Sequence, residues 1–154
     1  MARLEVGTKA PNFSLPNHEG KKVSSTSLKG TRYVMYFYPQ DDTPGCTVEA
    51  CGFRDEFAGF EELGIRILGV SPDLGPSHEA FRTKYGLDFD LLSDPATTTM
   101  AAYGAYGEKM LYGKTVIGVI RCTFVVGPTG LIEHAWYGPR TKGHAERVLA
   151  TLAH

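Results

Sequence analysis

The chain has little of three things, and each shortage removes a class of function. Charge of one sign is the first: Lys plus Arg (16) nearly cancel Asp plus Glu (17), so there is no cationic surplus to neutralise a phosphate backbone or an anionic lipid surface. Neither nucleic acid nor membrane is an expected partner. Long apolar runs, repeats, low-complexity tracts and linkers are also missing, and the 18 Gly and 9 Pro are scattered as turn punctuation. One domain covering residues 1–154 is therefore expected, long enough to bury roughly two thirds of the surface of its unfolded form. Cysteine is the third scarcity. Three residues are too few for a disulfide scaffold and odd in number, so the question becomes which thiol reacts.

The segment Met1 to Phe13 carries Arg3, Glu5 and Lys9 without an apolar stretch. That pattern argues against a secretory signal and makes the cytoplasm the expected compartment. The five histidines, His18, His78, His134, His144 and His154, fall at no metal-ligand spacing, and no metal is expected.

Tyr33 to Tyr38 is continuously apolar or aromatic, as a strand buried on both faces should be, and Ile65 to Val70 reads similarly apart from Arg66. Between them Cys46, Ala50, Phe53, Phe57 and Phe60 recur at the spacing of one helical face. Together these predict a βαβ unit. Further helices are predicted near Ser77 to Tyr85, from Pro95 to Tyr103, and where Ala145, Val148, Leu149 and Leu152 repeat. A hairpin is predicted between the last two helices, pairing Val119 to Val126 with Leu131 to Trp136 across the turn Gly127 to Gly130. Gly107 to Thr115 nearly imitates a phosphate-binding loop, but five residues separate Gly107 from Gly113, and it reads as an ordinary loop. A hairpin added to a βαβ unit implies an α/β fold with a mixed central sheet flanked by helices; a fully parallel doubly wound sheet is the rival.

The chemistry concentrates after the first buried strand, in Pro39, Gln40, Asp41, Asp42, Thr43, Pro44, Gly45 and Cys46. Thr43 suits the N-cap, its side chain accepting from the Cys46 amide, and Pro44 suits the first helical position, where a missing N–H is harmless. Cys46 then lies in the first turn, where free amides and the positive end of the helix dipole favour thiolate over thiol. Asp41 and Asp42 oppose this, so a cation is wanted, and Arg121 is the one charge within the predicted hairpin strand. Composition and spacing alone leave open whether Cys46 is a reactive thiol or a small core residue, and whether Arg121 faces it or solvent.

Tyr36 to Pro39, Asp41 to Thr47, Glu49 to Cys51 and Phe53 to Asp55 resemble the active-site segment of peroxiredoxins of the bacterioferritin comigratory, or Q, type. The similarity continues through Gly7, Ala10, Pro11, Phe13 and Leu15, Leu91 to Asp94, Gly107 to Lys109, Tyr112 to Lys114, Arg121, Thr123 and Phe124. It implies a thioredoxin-like fold and reduction of hydrogen peroxide and organic hydroperoxides. The family's Pro-x-x-x-Thr-x-x-Cys motif falls on Pro39, Thr43 and Cys46, its resolving cysteine on Cys51 and its active-site arginine on Arg121. The resemblance further implies a Cys46–Cys51 disulfide reduced by thioredoxin or glutaredoxin, no bound cofactor, and a monomer or weak homodimer. Gln40 stands where the family often has Lys, and Cys122 is not required by the motif. If Arg121 faces the site, strand alternation aims Cys122 to the opposite side, into packing. The rival readings are a thioredoxin-like disulfide oxidoreductase, whose usual CxxC this chain lacks, and a redox-sensing module.

Overall fold

The computed structural model describes residues 3–153. In chain order the elements are β1 (Ser14–Pro16), β2 (Lys22–Ser24), β3 (Arg32–Phe37), α1 (Pro44–Asp55), α2 (Phe57–Glu62), β4 (Ile65–Ser71), α3 (Gly75–Tyr85), β5 (Asp90–Ser93), α4 (Thr98–Ala102), β6 (Tyr106–Leu111), β7 (Lys114–Val119), β8 (Cys122–Val126), β9 (Ile132–Tyr137) and α5 (His144–Leu152). A five-stranded sheet in the order β5-β4-β3-β8-β9 forms the centre, with β1-β2 and β6-β7 as separate hairpins. β3, β4 and β5 run parallel, whereas β8 pairs antiparallel with β3 and β9. The predicted mixed sheet is therefore present, and the doubly wound alternative is not.

Alternation along β3 builds two cores. Tyr33, Met35 and Phe37 enter one face with Cys122, Phe124, Met100 and Tyr103. Val34, Tyr36 and Tyr38 enter the other with Cys46, Ala50, Phe53, Phe60, Phe81 and Val148. This second face lies beneath α1, α2, α3 and α5. A side chain on Gly69, the β4 partner of Tyr36, would meet that ring at 3.0 Å, so glycine there admits the tyrosine. Likewise Gly59 lets α2 approach α5, because a Cβ would fall 2.6 Å from Leu149 Cδ2.

Four expectations need correction. The helix predicted through Phe60 is interrupted at Glu56 (φ −98°, ψ 5°), and Phe57 on the far side is only half-buried. The helix expected from Pro95 begins at Thr98, after Thr97 takes a left-handed conformation (φ 59°). The strand expected from Val119 is divided, because the chain leaves β7 at Val119 and re-enters a ladder only at Cys122, which places Arg121 just outside β8. Finally, Gly107 to Thr115 is no loop but most of a hairpin, β6-β7, whose turn residues Tyr112 and Gly113 both have positive φ (52° and 78°). Two such residues match a two-residue turn whose twist suits paired strands. No helix among the described residues is long and apolar enough to cross a membrane.

Candidate active site

β3 delivers the chain to the edge of the second core, and the loop from Tyr38 to Thr43 turns it into α1. The turn is sharp because Asp42 adopts φ 58°, a left-handed conformation that Asp tolerates better than most residues. Its carboxylate is held from α3 by Lys84 Nζ (2.7 Å) and the Tyr85 hydroxyl (2.7 Å), and the Lys84 bond, with that of Tyr85, keeps it below its ordinary pKa. Asp41 is buried and accepts from the Tyr38 hydroxyl, Ser77 Oγ and His78 Nδ1. The two carboxylates that appeared to oppose thiolate formation thus each have a partner on α3, while Gln40 is exposed.

Thr43 occupies the N-cap with extended backbone and Pro44 takes the first helical position, as predicted. The predicted cap bond is not made. Instead the Thr43 hydroxyl donates to the Gln40 carbonyl at 2.9 Å, a local side-chain to backbone bond that competes with capping. The first helical bond is Thr47 N–H to Thr43 O (2.8 Å), so the amides of Gly45 and Cys46 lie ahead of it, at the end of the helix that favours negative charge.

Cys46 is 1% exposed. Arg121 Nη2 approaches its Sγ at 3.3 Å, and Arg121 Nη1 donates to Glu49 Oε1 at 2.5 Å. Arg121 comes from between β7 and β8, where its carbonyl accepts from Gly138 N–H (2.8 Å). Burial acts to lower its pKa, but the charges of Glu49 and Cys46 outweigh this and hold it above the ordinary value. Glu49 is fully buried, and its Oε2 has no hydrogen-bond partner among the described residues. Burial raises its carboxyl to about 7 against the pull of Arg121.

The structure therefore joins Cys46 and Arg121, places Thr43 at the helix start and leaves Pro39, half-buried, at the loop's beginning. It does not bring Cys51 to Cys46: both are free thiols, and Cys51 is half-buried farther along the same continuous helix. Cys122 is on the opposite face of the sheet, as alternation predicted. Sequence reasoning assigned no role to Glu49 or His78 and read Asp41 only as a charge opposing the thiolate. Glu49 did leave a signal, a lone carboxylate three residues after Cys46 on the helix face that also carries Ala50 and Phe53. Among the described residues, no group of three or more His, Cys, Asp or Glu is placed to hold a metal ion.

The family described as "AhpC/TSA family" matches residues 6–135. Peroxiredoxin Bcp of Escherichia coli is 40% identical over 152 residues, covering 99% of this chain and 97% of that protein. A crystal structure of a cysteine-to-serine variant of Xylella fastidiosa PrxQ superposes with a TM-score of 0.91 at 34% identity, covering 99% and 98% of the two chains. The bacterioferritin comigratory protein of Xanthomonas campestris, whose structures are described in terms of its alkyl peroxide reduction activity, gives 0.86 at 38% identity over 92% and 90%.

Proposed function

Because the chain belongs to the AhpC/TSA family and is a peroxiredoxin of the bacterioferritin comigratory, or Q, type, we propose that it reduces hydroperoxides through Cys46 and closes a Cys46–Cys51 disulfide. Thioredoxin then reopens that bond, with glutaredoxin the alternative donor. We read residues 1–154 as one peroxiredoxin domain, acting as a monomer or weak homodimer. The observation that carries this reading is Cys46 Sγ on the first turn of α1, 3.3 Å from the Arg121 guanidinium.

The Cys46 thiolate attacks the terminal oxygen of the peroxide. An S–O bond forms as the O–O bond breaks, and its electron pair leaves on the other oxygen, which takes a proton and departs as water or alcohol. Arg121 and the free amides at the helix start face the charge spreading over both oxygens. Thr43, whose hydroxyl proton is committed to Gln40 O, offers a lone pair to the peroxide O–H. The Pro39 ring shapes the approach. Cys51 thiolate then attacks the sulfenic sulfur, hydroxide leaves as water once protonated, and a disulfide remains. Two electrons from an external dithiol complete the cycle.

Resolution cannot occur within an intact α1. Five residues of helix separate two Cα atoms by roughly 8.7 Å and rotate their side chains about 140° apart, whereas a disulfide spans about 4.4 to 6.8 Å. α1 therefore unwinds before the bond closes, and hydrogen exchange in the oxidised protein should rise from Thr43 to Phe57 while the central strands stay protected.

The test is consumption of hydrogen peroxide and an organic hydroperoxide with thioredoxin or glutaredoxin as sole reductant. Cys46→Ser should abolish turnover while circular dichroism is unchanged; near-normal turnover in that variant would overturn the reading.

A further inference from the structure

His78 lies on α3, away from the residues assigned to the cycle, and its side chain is fully buried. Its Nδ1 is 2.8 Å from Asp41 Oδ2 and its Nε2 is 2.9 Å from the Leu92 carbonyl of β5. Both neighbours are acceptors. A neutral imidazole has one N–H and would set a lone pair against one of them, whereas an imidazolium satisfies both. The Asp41 carboxylate, 3% exposed, is already an acceptor on its other oxygen, from the Tyr38 hydroxyl at 2.5 Å, and also takes Ser77 Oγ at 2.8 Å. Its backbone N–H donates to Asp73 Oδ2 (2.7 Å), which Ser71 Oγ also reaches. The loop that presents Cys46 is thus fastened internally by Tyr38 and from outside by the turn after β4 and by α3.

We propose that His78, buried as an imidazolium between Asp41 and the Leu92 carbonyl, is a positioning residue for peroxide attack: it clamps the Cys46 loop and cancels the charge of Asp41. This rests on the peroxidase reading above.

The charge of Asp41 is felt where Cys46 is felt. The hydroxyl of fully buried Tyr36 is raised well above its ordinary pKa by burial first and then by the charges of Glu49, Cys46 and Asp41, against the opposing charge of Arg121. The titratable groups facing the Asp41–His78 pair are Tyr36 from β3, Tyr38 at the start of the loop and Asp73 from the turn after β4; β5 supplies only a backbone carbonyl. Cys46 and Glu49 lie across Tyr36 on α1. Arg121 serves Cys46 and Glu49, and His78 is the cation beside Asp41, so its loss leaves an unpaired carboxylate in the field of the thiolate.

Three proteins carry the test: wild type, His78→Gln and Asp41→Asn/His78→Gln. In each, the pH profile of Cys46 alkylation is read by mass spectrometry and single-turnover peroxide reduction by the fluorescence of Trp136, the only tryptophan. His78→Gln should move the alkylation profile upward by about one pH unit and slow peroxide reduction at neutral pH about tenfold. Adding Asp41→Asn removes the orphaned charge and should return the profile toward wild type, although the loosened loop keeps reduction slow. A merely structural role predicts a double variant no better than the single. An unmoved profile in His78→Gln, or no recovery in the double variant, would overturn the proposal. Nitrogen NMR of the wild-type ring decides the matter if the variants do not fold: two protonated nitrogens at neutral pH support the proposal and one refutes it. Failure of the wild type to consume peroxide would instead sink the peroxidase reading, since alkylation and NMR report on His78 regardless.

Discussion

Cys46 and Cys122 are buried almost equally, 1% and 0% exposed, on opposite faces of the same sheet. Cys122 is packed with Phe37, Tyr103 and Phe124, and burial, followed by the charge of Glu49, pushes its thiol well above the ordinary value. Cys46 meets a guanidinium, two amides ahead of the first helical bond and a buried carboxylate behind them. Loss of water is common to both, so it cannot be what would set the thiol proposed to react apart from one that does not. The difference lies in what replaces the water: fixed charge and dipoles on one face, hydrocarbon on the other.

Removing the cation should break this contrast most strongly. Arg121→Ala should slow peroxide attack by roughly 10² to 10³, the scale of losing one stabilising donor, and shift Cys46 alkylation to higher pH. Stopped-flow rates and alkylation kinetics check it, and unchanged values would show that the helix start suffices alone.

The second prediction concerns Glu49, the buried carboxyl that shares Arg121 with Cys46. Burial lifts Glu49 from 4.5 to about 7, so between those values the folded chain retains a proton that the unfolded chain has released. The resulting stability is fully present below about 4.5 and is lost as pH rises through about 7, a change of up to roughly 3 kcal/mol. Glu49→Gln should remove that part of the slope. Urea unfolding of both proteins at about pH 5 and about pH 8 measures it, and an equal slope in the variant would refute the assignment.

The smallest effect is expected on the other face. Cys122→Ala should cost about 1 kcal/mol of stability, for the lost sulfur contacts, and leave peroxide kinetics unchanged. A slower cycle, or Cys122 in the first disulfide formed after peroxide, would dissolve the distinction between the faces.

β3, β4, α3, α5 and the β8-β9 hairpin were legible because their apolar residues follow the period of the element they form. β6-β7 was not, since Met110, Tyr112 and Ile117 are exposed and the hairpin follows no inward face. Its turn is made by Tyr112-Gly113 rather than an Asn-Gly pair that would announce it. At the site, Cys46, Thr43, Pro44 and Arg121 were readable from motif and helix-start chemistry. The partners of Asp41 and Asp42 were not, because His78, Lys84 and Tyr85 lie 37 to 43 positions away and meet them only through the packing of α3. The Thr43 bond failed as an expectation for a local reason: its hydroxyl had a second acceptor, Gln40 O, three residues back.

The interruption at Glu56 sets the size of the transition that disulfide formation demands. An unbroken helix from Pro44 to Glu62 would tend to melt as a unit, carrying Phe60 out of the core and parting α2 from Leu149. With the boundary in place, disorder spreading from Cys46 meets a natural stop after about three turns. α2 stays anchored by Phe60, 0% exposed, and by the close approach of Gly59 to α5. On the proposed resolution step the residues released would be those of α1, Pro44–Asp55, and the stacking of Phe53 on Tyr36 at 4.7 Å would be among the contacts to break and remake. If α1 opens as proposed, Glu56 would act as a firebreak, leaving next door the ordered template on which α1 re-forms.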